Sequence, residues 1–436
     1  MRSFFQALLR RRPRSSQPQQ RVSAIQARTI SGGMTAAALY AVSMTTPTAL
    51  GAVPEDAEAK SHHAKNGVGF INPWDSFKDF SAPEIMRKII WGRVTGSFKS
   101  PDTTPPTVPV VAPKFLPNRT VSPALRATWL GHACYYVEFP SGLRVLFDPV
   151  FEERCSPFSW MGPKRYTEVP CHIKDLPVVD LVVISHSHYD HLSHPTVVEL
   201  HKAHPEAQFL VGLGLKDWFQ KCGIKKVQEM DWWTDIDITL SPSTGEKRIS
   251  TASSTTVPST TAPTDSSNIT ARISCLPCQH MSARTPFDKA HTLWCSWAVS
   301  SGGKSVWFGG DTGYRSVPQL PEGEDDYGEK YKDLPYCPAF KQIGDLRGPF
   351  DLGLIPIGAY DPRYIMSTVH ANPFDSVNIF IDTKCKKAMG IHWGTWVLTG
   401  EDVLEPPRLL KQAMKWKGLP ETGVFDVCDI GESREF

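Results

Sequence analysis

Residues 181–192 read Leu181-Val182-Val183-Ile184-Ser185-His186-Ser187-His188-Tyr189-Asp190-His191-Leu192. An apolar run meets imidazoles and a carboxylate at what reads as the C-terminal end of a buried strand. Alternate residues of an extended segment share a face, so His186 and His188 can converge on one cation. Asp190 and His191 lie just beyond, where the turning chain can aim them at a second cation. Neutral imidazoles with a carboxylate suit zinc, and less selectively iron or manganese. The plain alternative is a solvated polar loop; against it, histidines and an aspartate at a strand mouth need partners.

Two cations need more ligands than this cluster holds, and later segments offer them in the same local setting. His280 closes Arg272-Ile273-Ser274-Cys275-Leu276-Pro277-Cys278-Gln279. Asp311 closes Ser305-Val306-Trp307-Phe308-Gly309-Gly310, and His392 closes Ala388-Met389-Gly390-Ile391. Each stands where a short β-prone run meets Gly or polar residues, the signature of a loop at a strand's end. A lone histidine there is more often structural, but three such positions each fill a shortfall left by the first cluster. The sequence therefore predicts His186, His188 and His280 on one metal, and Asp190, His191 and His392 on the other. Asp311 is expected to bridge them through its two oxygens.

Strand, HxHxDH, distant His, Gly310-Asp311-Thr312-Gly313 and final His together resemble the metallo-β-lactamase superfamily. That resemblance implies an α/β fold, a four-layer αββα sandwich. More narrowly, the chain resembles the N-acyl-phosphatidylethanolamine-hydrolysing phospholipase D family, of the mitochondrial fungal type. The narrower likeness rests on Phe70-Ile71-Asn72-Pro73-Trp74, Thr128-Trp129-Leu130-Gly131-His132-Ala133, Met161-Gly162-Pro163-Lys164-Arg165 and Leu213-Gly214-Leu215-Lys216-Asp217-Trp218. It continues through Asp231-Trp232-Trp233, Ile355-Pro356-Ile357-Gly358-Ala359-Tyr360, Ile391-His392-Trp393-Gly394-Thr395 and Gly431-Glu432-Ser433-Arg434. HxHxDH alone identifies only the superfamily.

The resemblance implies a zinc-dependent phosphodiesterase with two Zn(2+), cleaving N-acyl-phosphatidylethanolamine to N-acylethanolamine and phosphatidic acid by a metal-bridged hydroxide. Asp190 is expected to orient that hydroxide and take up its proton. His370 matches a family position near the substrate and is the candidate proton donor to the leaving group, with a structural surface histidine as the alternative. His132 is expected behind the ligands, holding one in place. Arg363 is a candidate phosphate contact, or else a surface ion pair. The expected partners are the phospholipid and a membrane surface, with a homodimer left open. Phe77, Phe80, Ile85, Ile89, Ile90 and Trp91 are a candidate apolar docking face, or else core. The competing readings are another hydrolase on the same site (lactonase, thioesterase or nuclease), a non-catalytic lipid-binding protein, and a diiron redox protein, against which His188 favours zinc.

Charge is distributed unevenly over the 436 residues. Residues 1–54 contain seven Arg, no Lys and no acid, leaving 40 basic against 45 acidic residues in the remainder. That remainder is no polyanion-binding surface by charge, which argues against a nucleic-acid partner. Phe4, Phe5, Leu8 and Leu9 can form an apolar helical face followed by Arg10, Arg11, Arg12 and Arg14, so residues 1–33 read as a mitochondrial presequence. Inner-membrane association follows if 34–53 spans a bilayer, for which its hydropathy is borderline. Residues 34–69 are thus a candidate anchor and linker, and 70–436 the hydrolase domain. Within that domain 81–95 is expected to be helical, 195–203 likewise, and 126–139, 143–147 and 208–212 to be strands. Residues 241–268, rich in Ser, Thr and Pro, are predicted to loop out between two strands, and 315–336 to form a second inserted loop near the active-site rim. The ten cysteines show no disulfide framework, which fits a reduced compartment; Cys275 and Cys278 read as core rather than a metal pair.

Overall fold

The computed structural model describes residues 40–57, 61–81, 84, 87, 100–119, 122–242, 268–321 and 323–436. The predicted presequence 1–33 lies outside these residues, as do most of the helix expected at 81–95 and most of the 241–268 insertion. Strands follow in chain order: β1 Tyr40–Thr45, β2 Arg126–Gly131, β3 Cys134–Glu138, β4 Arg144–Phe147, β5 Leu181–Val183, β6 Gln208–Gly212 and β7 Val227–Met230. Then come β8 Thr234–Pro242, β9 Ile269–Leu276, β10 Ser296–Ser301, β11 Lys304–Phe308, β12 Phe350–Pro356, β13 Cys385–Ile391, β14 Phe425–Asp426 and β15 Ser433–Glu435. The α-helices are α1 His194–Ala203, α2 Lys216–Lys221, α3 Ala339–Leu346, α4 Arg363–Met366, α5 Pro373–Asp382 and α6 Glu405–Trp416.

The strands form two sheets, ordered β15-β2-β3-β4-β5-β6-β7 and β1-β8-β9-β10-β11-β12-β13-β14. Period-two alternation divides the first sheet's side chains between two cores. Tyr135, Val137, Val145, Phe147, Leu181 and Val183 face the second sheet. Tyr136, Leu146 and Val182 face Val197 and Leu200 of α1 and Phe219 of α2. On the far side of the second sheet lie α3, α5 and α6, through residues such as Phe340, Val377 and Met414. The result is the expected αββα sandwich of the α/β class. Helix ends are set locally: Ser193 Oγ accepts from Thr196 N at the start of α1, and Asn372 caps α5 reciprocally with Asp375, an arrangement that satisfies backbone donors otherwise orphaned at a helix start.

Strand directions decide where the candidate ligands meet. Strands β4, β5 and β6 are parallel, and β2 runs with β4 because each is antiparallel to β3. In the other sheet β11, β12 and β13 are parallel, and β9 runs with β11 because each is antiparallel to β10. The C-terminal ends of β2, β4 and β5 therefore share one edge of their sheet, and those of β9, β11 and β13 share one edge of theirs. Backbone bonds close those edges together: His392 N donates to His132 O (3.1 Å) and Cys295 N to Ser185 O (2.9 Å).

Within the stretch considered as an anchor, Tyr40–Thr45 is an edge strand paired antiparallel with β8 from Tyr40↔Pro242 to Thr45↔Asp237. Its apolar residues Tyr40, Val42 and Met44 pack against the core while Ala41, Ser43 and Thr45 are exposed. That alternation is the period of a half-buried strand. Among the described residues no helix is long and apolar enough to cross a membrane. Tyr40–Phe436 form one compact unit. The 241–268 segment does join two paired strands, with Leu240 opposite Ile269.

Candidate metal centre

The loop after β5 carries His186, His188, Asp190 and His191; the ends of β9, β11 and β13 deliver His280, Asp311 and His392. All seven predicted ligands meet, in two sets: His186, His188, His280 and Asp311, and Asp190, His191 and His392 with His132. In the first set His188 Nδ1 lies 2.8 Å from His186 Nε2 and 3.2 Å from His280 Nε2. Ligand bonds of about 2.0–2.2 Å in tetrahedral geometry put donor atoms roughly 3.3–3.6 Å apart, so these donors stand a few tenths of an ångström inside the spacing one ion would set. Asp311 stands between the sets, placed to be shared by two cations. Its Oδ2 lies 3.1 Å from His191 and His392, 3.7 Å from His280 and 3.8 Å from His186. Oδ1 is buried without a hydrogen-bond partner, so it too is free to meet a cation.

The outward nitrogens are fixed so that the inward ones keep their lone pairs. His280 Nδ1 donates to Val369 O (2.9 Å) and His191 Nδ1 to Asp148 Oδ2 (2.6 Å). Ser185 Oγ donates to the same Asp148 oxygen (2.5 Å), so His186 Nδ1, 2.8 Å from Ser185 Oγ, is the donor in that pair. One buried carboxylate thus orients a histidine from each set. His191 Nε2 and His392 Nε2 are buried with no hydrogen-bond partner. Burial and neighbouring imidazoles hold His186 and His280 neutral, well below the usual histidine range. Against burial, the adjacent imidazoles hold Asp190 and Asp311 well below the usual carboxylate range. Against burial again, Asp311 heads the carboxylates that push His191 up and bring His392 to about 9. Orphaned inward nitrogens, an orphaned carboxylate oxygen and this demand for positive charge all fit a pair of divalent cations.

Buried tryptophans back the ligands. Trp129, Trp294 and Trp297 donate their indole N–H to the carbonyls of His132 (2.8 Å), Cys278 (3.0 Å) and Ile184 (3.1 Å). Each bond fixes the backbone at or just before a site histidine, and full burial of so large a side chain stabilises by about 2–3 kcal/mol. Three non-glycine residues here hold left-handed backbones, His132 (φ 50°), Asp148 (φ 37°) and His392 (φ 62°), a conformation that costs on the order of 1–3 kcal/mol each and marks functional sites. Gly310, at φ 57°, must lack a side chain: a Cβ would lie 2.7 Å from Ser185 Cβ.

A beta-lactamase superfamily domain matches residues 143–393. Over 403 residues the chain is 32% identical to N-acyl-phosphatidylethanolamine-hydrolyzing phospholipase D 1 of Caenorhabditis elegans, covering 89% of this chain and 98% of that protein. The chain belongs to the N-acyl-phosphatidylethanolamine-hydrolysing phospholipase D family. It is also 30% identical over 310 residues to the mitochondrial enzyme of that name from Saccharomyces cerevisiae, covering 69% of this chain and 56% of that protein. Among solved structures, a metallo hydrolase from the archaeon Ignicoccus hospitalis is similar at 19% identity and a TM-score of 0.43, covering 72% of this chain and 98% of that one.

Around the ligands of this phospholipase D family member, His132 takes the expected supporting place, its Nε2 3.0 Å from Asp190 Oδ2. Burial and the neighbouring His392 bring it down to about 3, so it serves as a neutral donor. His370 is beside the site, Nδ1 4.0 Å from Asp311 Oδ2, and burial brings it to about 3 as well. Arg363 does not reach the metal centre. It pairs with Asp326 (2.7 Å) and Asp375 (2.8 Å), beside Arg315, which stacks over Tyr327 at 3.7 Å. Tyr327 in turn donates to Asp375, and this network fastens the 315–336 insertion to α5. Of the candidate docking face, Phe80 is buried, Phe77 is half-buried, and Ile85, Ile89, Ile90 and Trp91 lie outside the described residues. Cys275 and Cys278 are buried free thiols in the core.

Asp148 and Ser185 were not singled out from sequence. Their only signal is Asp148-Pro149, an acid closing a strand in the manner of Asp311.

Proposed function

We propose that this chain is a zinc-dependent phosphodiesterase of the phospholipase D type, hydrolysing N-acyl-phosphatidylethanolamine to N-acylethanolamine and phosphatidic acid. The observation that carries this reading is the complete ligand cluster in a chain similar almost end to end to the nematode enzyme. Imidazole-rich sets with one carboxylate favour zinc, and two zinc ions in this cradle would supply Lewis-acid stabilisation and a water acidified to near neutral pH.

The chain's own groups then divide the work. Asp190 is the most exposed carboxylate of the cluster, its side chain 15% accessible against 1% for Asp311, so it alone can meet incoming water. Oδ2 is engaged by His132 (3.0 Å) and lies near His392 (3.3 Å) and His191 (3.5 Å), leaving Oδ1 to accept the proton. His132 keeps that carboxylate oriented. His370 is the candidate donor to the leaving alkoxide; the negative charge of a phosphodiester against it opposes the effect of burial.

A lipid substrate requires contact with a membrane surface. Support comes from two loops that flank Tyr189 of the metal-binding segment. One exposes Phe158, Trp160 (72% accessible) and Met161, and packs through Cys155 near Trp396 and Tyr189. The other exposes Phe287 and is held by Arg284, which sits over the Tyr189 ring at 4.0 Å. Aromatic and Met side chains at loop tips suit the membrane interface. The Arg-rich N-terminus and the name of the yeast relative support a mitochondrial location.

A lipid-resolved assay with metal analysis on wild type and His188→Ala tests the reading. N-acyl-phosphatidylethanolamine should yield phosphatidic acid, with zinc and turnover falling together in the variant. Turnover confined to lactone, thioester or nucleic-acid substrates, or metal loss without activity loss, would overturn it.

A further inference from the structure

Apart from the metal centre, a second group of ligand-type side chains converges on Asp231. His62 Nε2 lies 2.6 Å from Asp231 Oδ1, and His63 Nε2 lies 2.7 Å from Asp231 Oδ2. All three residues offer ligand atoms within 4.8 Å of one another.

The convergence is built by the surroundings. The His62 ring stacks on Trp232 with centroids 4.2 Å apart, and Trp232 is pinned by its own N–H to Trp294 O (2.7 Å). The His63 ring packs edge-on against Phe70 at 5.2 Å, across an isolated bridge between the same two residues. Asp231 Oδ1 also accepts from Trp232 N (2.8 Å), which fixes the carboxylate. The rings and carboxylate are therefore held by packing on sides away from their ligand atoms.

The donor spacing is close to that of the metal centre, where His186 Nε2 and His188 Nδ1 stand 2.8 Å apart and Asp311 Oδ2 is 3.1 Å from His191 Nε2. An opening of roughly 0.6–1 Å reaches the roughly 3.3–3.6 Å expected between donors on one tetrahedral ion, a shift that half-exposed His63 can supply. His63 is half exposed, at 50%, so water has access to complete the coordination.

We propose that His62, His63 and Asp231 form an additional cation site, taking one divalent transition-metal ion of the zinc class. The ion clips the segment before Phe70 onto the junction of β7 and β8. That segment continues to Asn72, whose Nδ2 donates to His280 O (2.7 Å), and to Ser76, whose Oγ donates to Gln279 Oε1 (2.5 Å). The clip thereby braces the backbone of a ligand in the metal centre from outside.

The test is metal counting on the purified full chain, after equilibration with micromolar zinc and removal of loosely bound ion. Wild type should carry about one zinc per chain more than His63→Ala, the variant least able to disturb packing because that ring is half exposed. Asp231→Asn should lose the same ion. Because only the difference is read, the result stands apart from how many ions the catalytic cluster holds and from which lipid is cleaved. Equal zinc in wild type and both variants would overturn the proposal and leave His62, Asp231 and His63 as a hydrogen-bonded clip. Should Asp231→Asn fail to fold, His63→Ala decides alone, with zinc-dependent change in tryptophan fluorescence from Trp232 as a second readout. Absence of that change in wild type would also overturn it.

Discussion

Asp148→Asn isolates the orienting role of the carboxylate that the site geometry brings out most sharply. In the wild type one oxygen accepts from His191 Nδ1 (2.6 Å) and Ser185 Oγ (2.5 Å), and the other from Ser185 N (2.7 Å). The substitution preserves volume and can keep the Ser185 N bond through the amide oxygen. The amide nitrogen then faces His191, where it donates and draws the imidazole proton to Nε2, the atom that must carry a lone pair toward the metal. Changing an outer partner of a metal-bound histidine costs about 10–100-fold in metal affinity or activity, equivalent to roughly 1.4–2.7 kcal/mol. Folding stability should fall by a comparable amount, about 1–3 kcal/mol for the rearranged buried polar groups. The assay pairs chelator competition for zinc with kcat/KM on N-acyl-phosphatidylethanolamine, beside a denaturant curve. Zinc affinity and kcat/KM both within about twofold of wild type in a folded variant, where 10-fold or more is expected, would refute the claim that Asp148 sets the histidine tautomers.

Three further outcomes rest on the same structure. Asp190→Asn should lower kcat by about 10²–10⁴-fold under saturating zinc; a loss under about tenfold would remove Asp190 as proton acceptor. Arg363→Met should leave KM unchanged while destabilising the fold by about 3 kcal/mol in urea, the low end for a broken buried pair because the side chain keeps 19% exposure; a raised KM at unchanged stability would restore it as a phosphate contact. Asp361 is pushed up from 3.8 to about 6 by burial and then by Glu401 and Glu405. The folded state thus binds this proton more tightly than the unfolded chain. Its contribution favours folding below pH 3.8 and is lost as pH rises through about 6. Asp361→Asn should therefore raise the thermal midpoint at pH 7 relative to wild type and flatten its fall between pH 4 and 6; a lower midpoint at pH 7 would contradict the assignment.

Much of the metal centre was legible because each ligand closes a strand, and strand ends carry local signals in apolar runs, Gly and Asp. The same logic applied to Asp148, yet an acid before a proline has too many ordinary uses to stand out. Residues 40–45 carried the period-two pattern of an edge strand, but summed hydropathy masks alternation. Arg363 looked free to meet phosphate because Asp375, its partner, lies on a different element, and such pairings leave no trace in local sequence.

The linear chain by itself determined the kind of chemistry: residue types able to bind two cations, placed at the mouths of strands, within a recognisable family. Tertiary structure decided how they act together. The parity of strand directions brings six loop edges to one end of the sandwich. There Asp311 lies between the two ligand sets, and one buried carboxylate orients a histidine in each. These are relations between atoms far apart in sequence, fixed by pairing and burial, and local periodicity cannot encode them.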